Sequence, residues 1–520
     1  VVGLIGILLS LGLLMFLAYR GINVLVLAPI MALLAALLGG APLLATYTQV
    51  FMPALGQYAI TYFPLFLLGA IFGKVMDDTG AAKAIADFIV EKVGGERAIL
   101  AIVLACGILT YGGVSLFVVA FAVFPIAAAL FREAGLAKRL IPAAIALGSF
   151  TFTMTALPGT PAIQNNIPNS YFGTNAFAAP GLGIIGGLIM FVGGIAWLTW
   201  RSRRLAAAGE GYDDGAIMLS RKERKALRKG DSSGDGGTVA RDADGGSRDG
   251  GSGTGVTTGG GASGTATATL ADETRTDEAA DPVLDRPHMP AGLAFLPIVL
   301  VIGLNFALVE WIFPSMDFAY LEQDAYGNVG VDDVAGIWGI IVALVAAIAL
   351  ALVLGLRGLT DAKETVNKGT FGSLLPIFNT ASEVGYGAVI ASLAAFATIR
   401  DAVLGISGNP LITTAVSVNV LAGVTGSASG GMSIALETLG EDLRQLAVEQ
   451  GISLEIMHRV TAMASGGFDA LPHNGAVITL LGICGLTHRQ SYKDIGMVAV
   501  LIPVIALGVV ILLGTLFGSF

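Results

Sequence analysis

Three ionisable residues, Glu383, Asp469 and His473, stand in stretches otherwise fit for a lipid interior. A charged side chain at that depth is costly, so an acid or imidazole there is a functional candidate by default. Such groups can load and release a proton or hold a cation, and histidine does so near physiological pH. Asp469 is the first choice as proton or cation carrier, with His473 and Glu383 as the other candidates for coupling. Two alternatives stand beside this: Glu383 as a neutral hydrogen bonder next to Gly385-Tyr386-Gly387, and His473 as a donor to a bound solute.

Around these residues the chain is rich in hydroxyls and amides. Thr151, Thr153, Thr155, Thr160, Gln164, Asn165 and Asn166 cluster in one place; Thr425, Ser427, Ser429, Ser433 and Asn474 cluster in another. With no Lys or Arg read in either cluster, an anion there would be held by backbone dipoles and neutral donors. That suits a small hydroxylated monocarboxylate better than a polyanion. Alternatively, Ser and Thr satisfy their own neighbouring backbone.

The two clusters share a pattern. Tyr111-Gly112-Gly113-Val114-Ser115 is matched by Ser429-Gly430-Gly431-Met432-Ser433, and ALPGTPAI at 156–163 is matched by ALPHNGAV at 470–477. Two matches in the same order point to a duplicated fold. Proline and glycine inside an apolar span break the helix and free backbone N–H and C=O groups at membrane depth. Half-helix N-termini suit a carboxylate, and carbonyls and hydroxyls suit cations or hydroxyls. The candidate solute-binding set is Gly112, Gly113, Ser115, Thr153, Thr155, Gly159, Thr160, Gln164, Asn165, Ser429, Gly430, Gly431, Ser433, His473 and Asn474. For isolated breaks the alternative is a kink that eases packing.

The elements that must position these residues follow from hydropathy. Of 520 residues, 54% are hydrophobic and 13% charged, against about 25% charged in a soluble domain. The mean hydropathy of +0.78 excludes a water-soluble enzyme. Apolar runs predict ten spans, at 3–19, 24–40, 59–76, 139–163, 180–200, 291–313, 335–356, 371–397, 457–485 and 494–517. The stretches 97–132 and 410–437 are each interrupted near the middle, leaving legs of about 15 residues, or about 22 Å, against a core of about 30 Å. They read as two opposed re-entrant hairpins. The fold expected is all-α and polytopic: two inverted repeats of five spans, 1–200 and 291–520, with Pro/Gly-broken helices. Residues 201–290, basic at first and then Gly/Ser/Thr/Asp-rich, read as a flexible acidic linker.

Placing that linker in the cytoplasm puts Lys74 to Arg97, Arg132, Lys138, Arg139, His488, Arg489 and Lys493 on the same side. The loops 314–334 and 438–455, mostly acidic, fall outside. Residues 80–93 read as an amphipathic interfacial helix, with Ile85, Phe88 and Ile89 opposite Lys83, Asp87 and Glu91. The first apolar run reads as a transmembrane helix, not a signal peptide. Cys106 and Cys484 form no metal-ligand or C-x-x-C pattern and read as free buried thiols. A net charge of -9 argues against nucleic acid as a partner. No H-E-x-x-H, no P-loop and no G-x-S-x-G placed on a strand–helix turn supports an intramembrane enzyme or a primary pump, so neither a metal nor a cofactor is expected. A channel could use the same broken helices.

Three stretches, YGGVSLFVVAFAVFPIAAALFREA at 111–134, KRLIPAAIALGSFTFTMTALPGTPAIQNNIP at 138–168 and ASGGFDALPHNGAVITLL at 464–481, resemble the gluconate:proton symporter (GntP) family of the ion transporter superfamily. The resemblance covers most of the chain outside the linker. It implies a plasma-membrane permease for gluconate, related sugar acids or short hydroxy acids such as 3-hydroxybutyrate, coupled to protons. It also implies a homodimer with elevator-like movement of the hairpin domain. The long acidic linker departs from the compact family pattern and leaves sodium coupling as an alternative.

Overall fold

The computed structural model describes residues 2–20, 22–94, 97–212, 289–326, 328–356, 359, 361–472 and 474–520. His473 and most of the expected linker, 213–288, lie outside the described residues. Among the described residues every regular element is a helix, as expected where long apolar runs must satisfy their own backbone groups.

The first two helices are α1 (Val2–Tyr19) and α2 (Val24–Leu38). The expected span 59–76 is the later part of a longer helix, α3 (Leu43–Asp78), 36 residues or about 54 Å long. Its π turn at Tyr47–Phe51 lies two residues before Pro53. The same arrangement recurs at Leu308–Ile312 before Pro314 and at Met497–Leu501 before Pro503. Proline strikes the carbonyl one turn back and donates no N–H, and a wide turn moves that carbonyl aside so the helix continues. This is why residues 43–58, which lie between two expected spans, are helical.

After α4 (Ala81–Val93) come α5 (Ala98–Tyr111) and α6 (Leu116–Glu133), which form the first hairpin. α4 buries Ile85 and Ile89 and sets Phe88 edge-on to Phe295, with ring centroids 5.9 Å apart. The broken segment follows as α7 (Ile141–Ser149), α8 (Phe152–Thr155) and α9 (Ile167–Phe172), and the first half closes with α10 (Pro180–Ala207). The second half runs α11 (Ala291–Ser315), α12 (Val331–Gly355) and α13 (Ala362–Ser392). α13 turns by 97° into α14 (Phe396–Leu404). The second hairpin is α15 (Pro410–Thr425) and α16 (Ala428–Glu449); then come α17 (Leu454–Ser465), α18 (Gly475–Cys484) and α19 (His488–Phe517).

The hairpins differ from expectation in two ways. Gly112–Ser115 is the first turn, with Gly113 at φ 92°, but the second chain reversal is at Gly426 and Ser427. Gly426 (φ 67°) ends α15 in the left-handed region, and Ser427 caps α16 by accepting from the Gly430 N–H at 3.0 Å. Gly430 and Gly431 therefore sit in the first turn of α16, where they permit close approach instead of making the turn. The legs are also unequal: α16 has 22 residues, not about 15.

α3 and α13 lie antiparallel and close. A Cβ at Gly369 would meet Ile71 Cα at 2.7 Å, and one at Gly385 would meet the Phe51 carbonyl at 3.0 Å. Polar contacts join the helix ends. One set joins Asp78 to Thr365 (2.7 Å), Arg201 to Asp494 (3.1 Å), Arg139 to Glu210 (3.5 Å) and Arg132 to the Tyr212 ring (4.7 Å). The other joins Tyr171 to Glu437 (3.3 Å), Asn175 to Glu310 (3.2 Å) and Arg400 to Asp442 (3.9 Å). Cys106 and Cys484 are free and buried.

Candidate functional site

The first break begins where α7 ends at Ser149 and lasts to α9. Gly159 turns the chain at φ 79° and donates its N–H to the Ala176 carbonyl at 2.8 Å. Most of the expected lining is engaged locally. Thr151, Thr153 and Thr155 donate to the carbonyls of Leu147, Gly148 and Thr151 at 2.7, 2.7 and 3.1 Å. Asn166 donates to Ala162 at 2.8 Å, and Asn165 to Thr160 and Ala176 at 3.1 and 2.9 Å. The Thr160 hydroxyl accepts from the Ala162 N–H at 3.3 Å, and Gln164 is half-buried. These side chains therefore hold the unwound backbone in shape, which leaves backbone groups as the chemistry of this break.

The second break, between α17 and α18, differs. Asn474 is committed: its Oδ1 accepts from Ala476 and Val477 N–H at 2.6 and 3.1 Å, and its Nδ2 donates to the Gly426 carbonyl at 2.7 Å. It caps α18 and ties the break to the second hairpin's turn. Asp469, in the single turn Phe468–Ala470, is 7% exposed, and its Oδ1 has no hydrogen-bond partner among the described residues. Asn419 Oδ1, which faces Gly467, has none among them either.

Each hairpin turn is held by the break of its own half. In the first, Tyr111 donates to the Pro158 carbonyl at 2.6 Å, and a Cβ at Gly113 would meet Pro161 at 2.7 Å. Ser115, half-buried, packs its backbone against Gly73 of α3. In the second, Asn474 supplies the tether, and Phe468 packs on Gly423. The breaks touch each other, since a Cβ at Gly466 would meet Thr155 at 2.7 Å.

Glu383 lies away from the breaks, where α13 meets the start of α16. It is 2% exposed, its Oε2 has no hydrogen-bond partner among the described residues, and its carboxylate occupies the space a Cβ on Gly430 would need. Ser427 and Tyr58 are its polar neighbours, and Tyr58 in turn faces Ser433. Ser429 contacts Thr380 of α13 at 3.4 Å. The structure thus separates the candidates: Asp469 belongs to the break, and Glu383 to the seam between hairpin and long helix.

Sequence reasoning missed Arg459. This residue of α17 is fully buried and donates to Asn165 Oδ1 (2.8 Å), the Ala178 carbonyl (2.7 and 3.1 Å) and the Ala176 carbonyl (3.4 Å). The expectation that no cation stands at the breaks is therefore corrected. A lone Arg within the apolar run 457–485 was the available signal. Above it, a cavity of about 340 Å³ opens between Thr174, Asn175, Ala178, Gly336, Ser453 and Glu455. None of the sequence-predicted residues that the structure describes lines it.

With the geometry described, relatives place the chain. It is 43% identical over 498 residues, 95% of this chain and 94% of the relative, to a Bacillus subtilis (strain 168) protein named uncharacterized transporter YxjC. It is also 30% identical over 166 residues, 32% of this chain and 38% of the relative, to an uncharacterized transporter of Haemophilus influenzae (strain ATCC 51907 / DSM 11121 / KW20 / Rd). No protein-family profile matches the chain.

Proposed function

The chain belongs to the transporter family of its Bacillus subtilis relative, and from that premise we propose that it is a secondary active transporter importing a small hydroxylated monocarboxylate by cation symport. The reading rests on one observation: a buried, unpartnered carboxylate, Asp469, in a helix break that touches a second break through Gly466 and Thr155. An intramembrane carboxylate with an open oxygen can take a proton, and unwound backbone beside it can receive an anion.

In this reading the solute sits between the two breaks and hairpin turns, and Asp469 carries the coupling proton, with sodium as the alternative ion. His473 and Glu383 remain candidates for the same duty. The hairpins are re-entrant and the halves are inverted repeats. Matched tethering of each turn to its own break supports this part. The loaded hairpin domain moves against α3 and α13 in a homodimer of the plasma membrane, with the linker in the cytoplasm. The substrate is a gluconate-like sugar acid or 3-hydroxybutyrate.

Purified protein in liposomes tests this. Uptake of labelled 3-hydroxybutyrate or gluconate under an inward proton gradient, collapsing when the gradient is dissipated, is the expected result. Running the assay with and without sodium identifies the ion. Uptake that persists without a gradient and does not saturate would indicate a channel, and no uptake of either acid would end the substrate assignment.

A further inference from the structure

We infer that Arg459 supplies the positive charge that makes the first break selective for an anion, acting as a positioning residue through Asn165 and the 176–178 backbone without touching the solute. The inference rests on the monocarboxylate reading and names what enforces it.

Every acceptor that Arg459 uses is neutral: one side-chain amide and two backbone carbonyls. Among the described residues, no carboxylate oxygen lies within ion-pair distance of it. Glu455, one turn earlier, is engaged at the mouth of the cavity, accepting from Ser519 at 2.7 Å and from the Ala179 N–H at 3.4 Å. His458, also buried, bonds Thr174 at 2.8 Å. The close face of α10 is Gly183, where a Cβ would meet Arg459 Nε at 3.1 Å, so no further side chain enters from that side.

Holding a loop by its carbonyls does not require a charge, because a neutral amide donor would do it. A buried cation carries a desolvation penalty that neutral acceptors offset only in part, unlike a paired anion. The charge is therefore incompletely compensated in this state, and it is directed at the break. Asn165, whose Oδ1 takes the guanidinium, donates from Nδ2 to the Thr160 carbonyl at 3.1 Å. The same guanidinium bonds Ala178, which lines the cavity. An anion lodged in the first break supplies the missing negative charge; a neutral polyol of the same shape does not.

Two variants separate charge from hydrogen bonding. Arg459→Lys keeps the charge and loses the planar fork, whereas Arg459→Gln keeps a donor and loses the charge. Uptake would be measured in liposomes for 3-hydroxybutyrate, with thermal unfolding of each protein alone and with the acid or its neutral counterpart, 1,3-butanediol. The expected result is a KM for the acid within a few-fold of wild type in R459K and at least tenfold higher in R459Q. In wild type, stabilisation should come from the acid and not from the diol. Equal losses in both variants, or an unchanged R459Q, would overturn the inference. Should either variant fail to fold, the wild-type contrast decides alone, and equal stabilisation by acid and diol overturns it. Wild type that takes up no acid but carries a neutral solute removes the substrate class together with this inference. Acid uptake unaffected in R459Q removes this inference only.

Discussion

The first helix break has used its side-chain polarity internally, and the second has not. At 150–166, threonines and asparagines bond their own backbone, and a buried arginine clamps the loop that follows. At 466–474, Asp469 Oδ1 and, against Gly467, Asn419 Oδ1 have no partner among the described residues. Similar motifs, ALPGTPAI and ALPHNGAV, thus yield one break whose side chains bond its own backbone beside a buried guanidinium and one that keeps a buried carboxylate oxygen. The difference follows from chemistry: amides and hydroxyls can satisfy a neighbouring carbonyl, whereas a carboxylate, accepting only, cannot. In the function proposed above, this difference becomes a division of labour, with the solute anion towards the first break and the coupling cation at the second.

The comparison is broken most severely by Asp469→Asn. Accumulation against a gradient should vanish while exchange of labelled for unlabelled acid persists, because the site still binds but no longer carries the cation. Gradient-driven uptake that survives in this variant would move the duty to Glu383 or His473. Next is Arg459→Leu, which strands the Asn165 amide oxygen and the Ala178 carbonyl in the interior, while the Ala176 carbonyl keeps its bonds from Gly159 and Asn165. Each stranded group costs about 1–3 kcal/mol, so a loss of about 2 kcal/mol or more is expected, read as a lowered unfolding temperature. A small loss there would mean that the first break does not depend on its clamp. Asp469→Asn should leave unfolding close to wild type, and that contrast between the two variants is the sharper test.

Why some of this was legible in sequence and some was not is physical. Breaks were legible because Pro158 and Pro472 cannot continue a helix and their flanking glycines and polar residues say so locally. Hairpins were legible from the glycine-containing interruption of each apolar stretch, but neither the second turn nor the 22-residue length of α16 was. The pair Gly430-Gly431 looks like a turn; only the approach of Glu383 and of the opposite leg shows that the missing Cβ atoms serve packing. The length of α3 was hidden because a π turn lets Pro53 sit inside a continuous helix. Side-chain assignments were least legible. That Asn474 caps α18 was not legible, and Arg459 was overlooked because its partners lie nearly 300 positions away, at Asn165 and Ala178.

Smaller effects test whether the two halves are built alike. Asn474→Ala removes the cap of α18, worth about 0.5–2 kcal/mol, and a tether to Gly426 worth about 1 kcal/mol. Tyr111→Phe removes the single 2.6 Å bond to the Pro158 carbonyl and keeps the ring, so about 1 kcal/mol is expected. The stabilities differ because one residue does two jobs, but the local consequence should match. In each variant, amide hydrogen exchange should rise at that half's own hairpin turn, 112–115 for Tyr111→Phe and 426–431 for Asn474→Ala, with the opposite turn unchanged. Exchange rising at both turns in either variant would mean that the tethers act through the whole bundle, and the match between halves would then be one of sequence alone.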